Sequence, residues 1–265
     1  SELLADIRLG QRLDFLHFFD VDRSKALAAE SRVMQVALAG APHTETDVFT
    51  PAQLDRFDTA LRARALTPLV ATANARPDAR QSEENGLVVH AAAPVFDAKG
   101  VLLGVLAGGM LLNKNLHFID RLNEIVYPEG ALPFGSAGTA TIFLGDVRVA
   151  TNVRLFEGER AIGTRVSESV HRAVLDEGRT WLDRAFVVTD WYVSAYQPLL
   201  DSQGRRIGML YVGYLEGPFA RARQQAFLVV VGVFALAMLV AGVFAVVWAR
   251  RVFRPIERMH ATMHA

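Results

Sequence analysis

Apolar positions along this chain follow two regimes. Up to about residue 215 they recur in short runs broken by turn residues; from Ala226 to Ala249 they run on as AFLVVVGVFALAMLVAGVFAVVWA, with no charge and no proline. At about 1.5 Å of rise per residue this run crosses a hydrocarbon core of roughly 30 Å, and in lipid only a helix satisfies its own backbone. A core helix of a soluble protein usually carries polar residues on its exposed side. The pattern therefore predicts one membrane-spanning helix over 226–249.

The earlier runs predict a mixture of helices and antiparallel strands. Leu9, Leu13 and Leu16 recur at helical spacing, and no proline precedes Pro42. This predicts a long N-terminal helix within residues 1–49, stopped by Gly40-Ala41-Pro42. Its heptad is too ragged for a coiled coil. Thr50 and Pro51 are set as N-cap and first-turn residues of a helix in TPAQLDRFDTALRARAL. Strands follow over 86–94 and 101–112, then a helix from Asn115. A hairpin over TATIFL-GD-VRVATNV comes next, then a helix over 167–176 closed by Gly178, then strands from Trp181 to Leu215. The fold class is α+β.

An internal repeat underlies the strands. Pro94, Asp97, Gly100, Gly104, Leu106, Gly109 and Leu111 recur as Pro198, Asp201, Gly204, Gly208, Leu210, Gly213 and Leu215, each 104 positions on. The repeated unit is a strand, a tight Asp-x-x-Gly turn and a returning glycine-bearing strand.

Charge sets the orientation. Arg250, Arg251, Arg254 and Arg258 follow the apolar run, against Arg221 and Arg223 before it, so the C-terminal side is expected in the cytoplasm. The chain balances 28 basic against 28 acidic residues, which gives no basic stripe for nucleic acid, and it has no cysteine. Ser1 opens no signal peptide. An external domain needs an export signal, so the expectation is an earlier membrane span upstream of Ser1.

The stretch RAFVVTDWYVSAYQPLLDSQGRRIGMLYVGYLEGPF resembles the end of a Cache domain, the PAS-like extracytoplasmic sensor of bacterial receptors. With the repeat, the region before the span resembles a tandem Cache arrangement, and Arg254-Pro255-Ile256-Glu257 resembles the opening of a HAMP signalling helix. The resemblance implies a dimeric sensor histidine kinase or chemoreceptor in the bacterial inner membrane, its sensor region periplasmic. The implied layout is a signalling helix over 1–49, a first and degenerate module over 50–135 and a second module over 136–220. The span at 226–249 and a HAMP start at 250–265 complete it. Ligands of such modules lie between the sheet and covering loops.

Residue types point to the second module as the binder. Tyr192, Ser194 and Tyr196 alternate onto one strand face, with Asp190 and Trp191 at the strand's start, Arg184 before it and Tyr211 on the return strand. A guanidinium with phenol and indole donors suits a small carboxylate. Arg165, ahead of a helix N-terminus, is a second candidate cation; Thr141 and Phe143 of the neighbouring strand complete the candidate set. Each has an ordinary packing role as its alternative. In the first module Leu87, Val88, Ala92 and Ala107 stand where Trp191, Tyr192, Tyr196 and Tyr211 stand in the second, so the first is expected to be structural. Amino-acid-binding relatives resembling this pattern carry an Arg two places before the Trp-Tyr pair; here Thr189 stands there, which favours plain carboxylates.

Other chemistry finds no footing. The seven histidines are scattered without a His-Glu-x-x-His motif, and His260 and His264 read as surface or bundle residues. No nucleophile elbow and no Walker lysine are present. No catalytic residue, metal site or cofactor is expected. A region that binds only a partner protein is the alternative reading; an extracytoplasmic hydrolase lacks a nucleophile.

Overall fold

The structure is a computed structural model describing residues 2–133, 136–155, 158–188 and 190–262, with the backbone alone over 252–262. Thr189, His264 and the side chains of Arg254, Pro255, Ile256, Glu257, Arg258 and His260 lie outside the described residues. The chain divides into two units, one ending at Leu215 and one beginning at Glu216.

The first unit holds two antiparallel sheets. Sheet one contains β1 (Phe15–Asp20), β2 (His43–Phe49), β5 (Gly86–Phe96) and β6 (Leu102–Leu111), in the order β1-β6-β5-β2. Sheet two contains β7 (Gly138–Leu144), β8 (Val147–Thr151), β9 (Trp181–Val187), β10 (Asp190–Leu200) and β11 (Arg206–Leu215), in the order β8-β7-β11-β10-β9. A short ladder, β3 (Thr67–Pro68) with β4 (Ser82–Glu83), closes the base of a loop between them in sequence.

The long N-terminal helix over 1–49 is not what forms. Three short helices stand there, α1 (Glu2–Gly10), α2 (Val21–Ala28) and α3 (Arg32–Leu38), interleaved with β1 and β2. Leu9, Leu13 and Leu16 keep helical spacing but fall on a helix, a loop and a strand. The run Phe15–Asp20 is instead captured by glycine-rich β6: Phe15 pairs with Gly109 and Asp20 with Gly104. Asp20 and Ser31 each cap a new helix, accepting from Arg23 N and Met34 N. Tertiary pairing overrides a weak helical period here.

Local signals held elsewhere. Thr50 builds a full capping box on α4 (Pro51–Phe57): its hydroxyl accepts from Gln53 N, and Gln53 Oε1 accepts from Thr50 N at 2.8 Å. The helix ends at Asp58, whose extended backbone and carboxylate start α5 (Thr59–Ala65). Asn115 caps α6 (Leu116–Val126), and α7 (Glu168–His171) widens into a π-helical turn over Arg172–Asp176.

The sequence repeat is a structural repeat. In the β5–β6 hairpin Val88 pairs with Leu111 and Phe96 with Leu102; in β10–β11 Tyr192 pairs with Leu215 and Leu200 with Arg206, the same register 104 residues on. Both hairpins break register one residue before the turn. Asp97 Oδ1 accepts from Lys99 N and Val101 N at 2.8 Å, and Asp201 Oδ1 accepts from Gln203 N and Arg205 N at 2.9 and 2.8 Å. Gly104 and Gly208 are alike in purpose: an added Cβ would lie 2.2 Å from the Phe19 carbonyl oxygen and 2.0 Å from that of Phe143.

Sheet one's core holds an orphan. His90, the counterpart of Ser194, is 2% exposed among Phe15, Phe49 and Phe57, and neither ring nitrogen has a hydrogen-bond partner among the described residues. Burial pushes its pKa down from 6.5 to about 4. The unfolded chain then binds the extra proton between those values, so stability is complete above about pH 6.5 and falls as pH drops towards 4. The loss amounts to about 3 kcal/mol from this group. His90→Leu is expected to flatten that part of the stability–pH curve, measured by urea unfolding at stepped pH; a slope unchanged by the substitution would place the titration elsewhere.

The second unit is one helix, α8 (Gly217–Thr262). Within its segment Gly217–Arg251 an 18-residue window has a mean hydropathy of 2.9 and none of it buried, so among the described residues one helix is long and apolar enough to cross a membrane.

Candidate functional site

A cavity of about 280 Å³ lies against sheet two. Its walls come from three sources. The loop after β3 gives Thr72, Ala73 and Asn74; the turn and helix after β8 give Arg165, Val166, Ser167, Ser169 and Val170; β9, β10 and the turn between them give Trp181, Arg184 to Val188, Trp191 and Tyr196, with Arg148 from β8.

The alternation read from the sequence places Ser194 and Tyr196 inward, 1% and 3% exposed, and leaves Trp191 half exposed at the rim. Of the nine candidate residues, Arg165, Arg184, Trp191 and Tyr196 line the cavity. Thr141, Phe143 and Tyr211 are fully buried beneath it. Tyr211 packs on Tyr196 with ring centroids 4.8 Å apart and shares a 3.1 Å hydrogen bond with Thr139; Thr141 bonds Thr151 at 2.6 Å. Tyr192 is half-buried against the same core, and Asp190 stands exposed at the start of β10. These five are not among the lining residues.

The two anticipated cations differ from each other. Arg165 is enclosed by acids: its Nε and Nη2 reach Asp146 at 2.8 and 2.6 Å, Nη2 lies 3.4 Å from Asp78, and Nη1 donates to the Arg76 carbonyl. Its charge is neutralised locally, so it serves as a strut. Arg184 sits on exposed β9 with its guanidinium carbon 5.2 Å from the Trp191 ring centre, a cation–π contact at the rim.

A third cation was not read from the sequence. Arg148 is 3% exposed, lines the cavity, and among the described residues meets no carboxylate. Nη1 donates to the Thr164 hydroxyl, the guanidinium lies 5.0 Å over the Phe143 ring, and Nε has no partner among the described residues. Burial strips its water and lowers its pKa. Strict alternation along Val147–Thr151 would turn Arg148 away from Thr151. A β-bulge intervenes: Thr141 pairs with Thr151 and Ile142 with Ala150, but Phe143 pairs with Arg148, so Val149 is skipped. Arg148 is thereby re-aimed onto the face of Phe143.

The phenols around it stay neutral. Burial raises the pKa of Tyr196 and of Tyr211, and Tyr192 is pushed up to about 12. None of the lining residues is Asp or Glu. An uncompensated buried guanidinium in a cavity without acids is electrostatically an anion receptor, since an isolated buried charge is costly until paired. Trp181 adds an indole N–H that has no acceptor among the described residues.

Residues 110–226 match the family model described as single cache domain 3, a span that holds sheet two and the lining residues from Arg148 to Tyr196. No curated protein matches the chain. Among solved structures, the chain is similar to the periplasmic domain of Vibrio cholerae LuxQ at 10% identity, over 72% of this chain and 78% of that one, with a TM-score of 0.32. It is also similar to the periplasmic sensory domain of the Campylobacter jejuni chemoreceptor Tlp1 at 13% identity, over 71% and 55%, with a TM-score of 0.30. A third is the ligand-binding domain of the Pseudomonas aeruginosa PAO1 amino acid chemoreceptor PctB in complex with L-Arg, at 13% identity over 78% and 77%, with a TM-score of 0.26. Scores this low do not establish a shared fold.

Proposed function

We propose that this chain is the extracytoplasmic sensor region of a transmembrane signalling receptor, and that the cavity on sheet two binds a small carboxylate. The observation that carries the reading is Arg148, a buried cation facing a cavity with no acid among its described lining residues. A carboxylate supplies the missing counter-charge and two acceptors, a bidentate match to a guanidinium. The single-cache match over 110–226 and the apolar helix that follows support a periplasmic module joined to an inner-membrane span. The tandem reading is supported by the repeated hairpin and by the order shared by both sheets, in which the returning strand lies between its hairpin partner and the sheet's first strand. The first module then begins at Phe15, not at residue 50. We read the output as a histidine kinase, with a chemoreceptor as the alternative, and the working unit as a homodimer. The cavity beside Tyr196 weighs against a region that binds only a partner protein.

Thermal unfolding of the full chain in lipid nanodiscs, with acetate, pyruvate, lactate and succinate in turn, tests this. A ligand at a hundred times its Kd adds about 2.7 kcal/mol, a rise of roughly 5–10 °C. Silence across the whole set would remove the carboxylate.

A further inference from the structure

We infer that the loop between β3 and β4 is a removable wall of this cavity, latched by Arg76, and that ligand enters and leaves by its lifting. The inference rests on the reading that the cavity binds a ligand. The loop's ends are held together by the Thr67–Pro68/Ser82–Glu83 ladder, so it is a closed Ω-shaped excursion. In chain order it precedes the hairpin of sheet one, yet it lies across sheet two's cavity. Val70 N donates to the Gly163 carbonyl at 2.9 Å, Arg165 N to the Thr72 hydroxyl at 3.0 Å, and Glu168 N to the Asn74 carbonyl at 2.7 Å. Thr72, Ala73 and Asn74 thereby form one side of the cavity.

What holds this wall is unevenly distributed. From residue 68 to residue 82 no side chain is buried, so little apolar packing opposes lifting. The far end is anchored: Arg80 reaches Asp78, Glu83 and Asp146, and Asp146 is the buried partner of Arg165. The near end is held by the three hydrogen bonds above, by the Arg76 carbonyl accepting from Arg165 Nη1, and by one side-chain ion-pair cluster. Arg76 donates to Glu168 through Nε and Nη2 at 2.9 Å each, and from Nη2 to Asp176 at 2.8 Å. These three side chains are 36–44% exposed, so the latch is screened and releasable, whereas the Arg165–Asp146 anchor is 10% and 6% exposed. The geometry is that of a flap hinged near Asp78 and fastened at Arg76. Residue 168 belongs to α7, whose Ser169 and Val170 line the cavity, and residue 176 to the π-turn that continues it, so one latch partner and the cavity share an element.

Hydrogen exchange of the full chain in nanodiscs, wild type against Arg76→Gln, is the test. The amides of Val70, Arg165 and Glu168 are expected to exchange roughly three- to tenfold faster in the variant, with the amides of 192–200 unchanged. Unchanged exchange at all three, or an equal rise throughout sheet two, would overturn the latch. This readout needs no ligand, so it stands apart from the fate of the carboxylate reading. With whichever of the four carboxylates binds, dissociation should quicken by a similar factor in Arg76→Gln. The chain has no cysteine, so Arg76→Cys with Glu168→Cys, joined by a short bis-maleimide, should slow release well below the wild-type rate. Release unaffected by both changes would show that the loop is not the door.

Discussion

Arg148→Met is expected to stabilise the sensor region and abolish its anion binding at once. Two signs from one substitution set this apart from ordinary damage. The guanidinium is buried, and among the described residues it has one hydroxyl acceptor, one aromatic neighbour and no carboxylate. Methionine fills similar space without a charge to desolvate, so the unliganded protein should gain about 1–3 kcal/mol. Its ligand would lose a charge-assisted, bidentate partner, a weakening of a hundredfold or more. Urea unfolding and calorimetric titration with the carboxylate that stabilises wild type read the two effects separately. A variant less stable than wild type would show Arg148 to be a structural cation, satisfied where it stands.

Gly208→Ala should cost about 3 kcal/mol or more and erase the cavity. The new methyl carbon would lie 2.0 Å from the Phe143 carbonyl oxygen and 3.0 Å from its carbon, so β7 and β11 must part. Phe143 carries both Arg148 above its ring and Tyr196 at 6.1 Å, and displacing it dismantles the site's floor. Gly204→Ala is the control. Its φ of +75° brings some strain, but nothing lies within 4 Å of the added carbon, so a loss near 1 kcal/mol is expected. Equal losses at the two positions, measured by urea unfolding, would mean that the close strand approach at Gly208 is relaxed cheaply.

What could be read from the sequence was what depends on neighbours in the chain. Asp97 and Asp201 announce their hairpins because each carboxylate bonds amides two and four residues away. Thr50 announces α4 because its partner Gln53 is three residues on. The apolar run from Ala226 needs no partner to be legible. Phe15–Asp20 was misread because the strand that captures it, β6, begins more than eighty residues later. Arg148 was invisible because a skipped Val149 breaks the alternation that pattern reading assumes. The place of the Leu69–Gln81 loop was not legible, since its partners Gly163, Arg165 and Glu168 are some ninety residues distant. Of the nine candidate residues four line the cavity, all but Arg165 on β9 and β10. Arg165 has a promising loop position, but Asp146 already claims its charge.

A structure of the full chain soaked with the stabilising carboxylate tests the central claim most directly. The account predicts carboxylate oxygens within about 3 Å of the Arg148 guanidinium, beneath Thr72–Asn74. A carboxylate bound to Arg184 alone at the rim, or bound outside this cavity altogether, would contradict it.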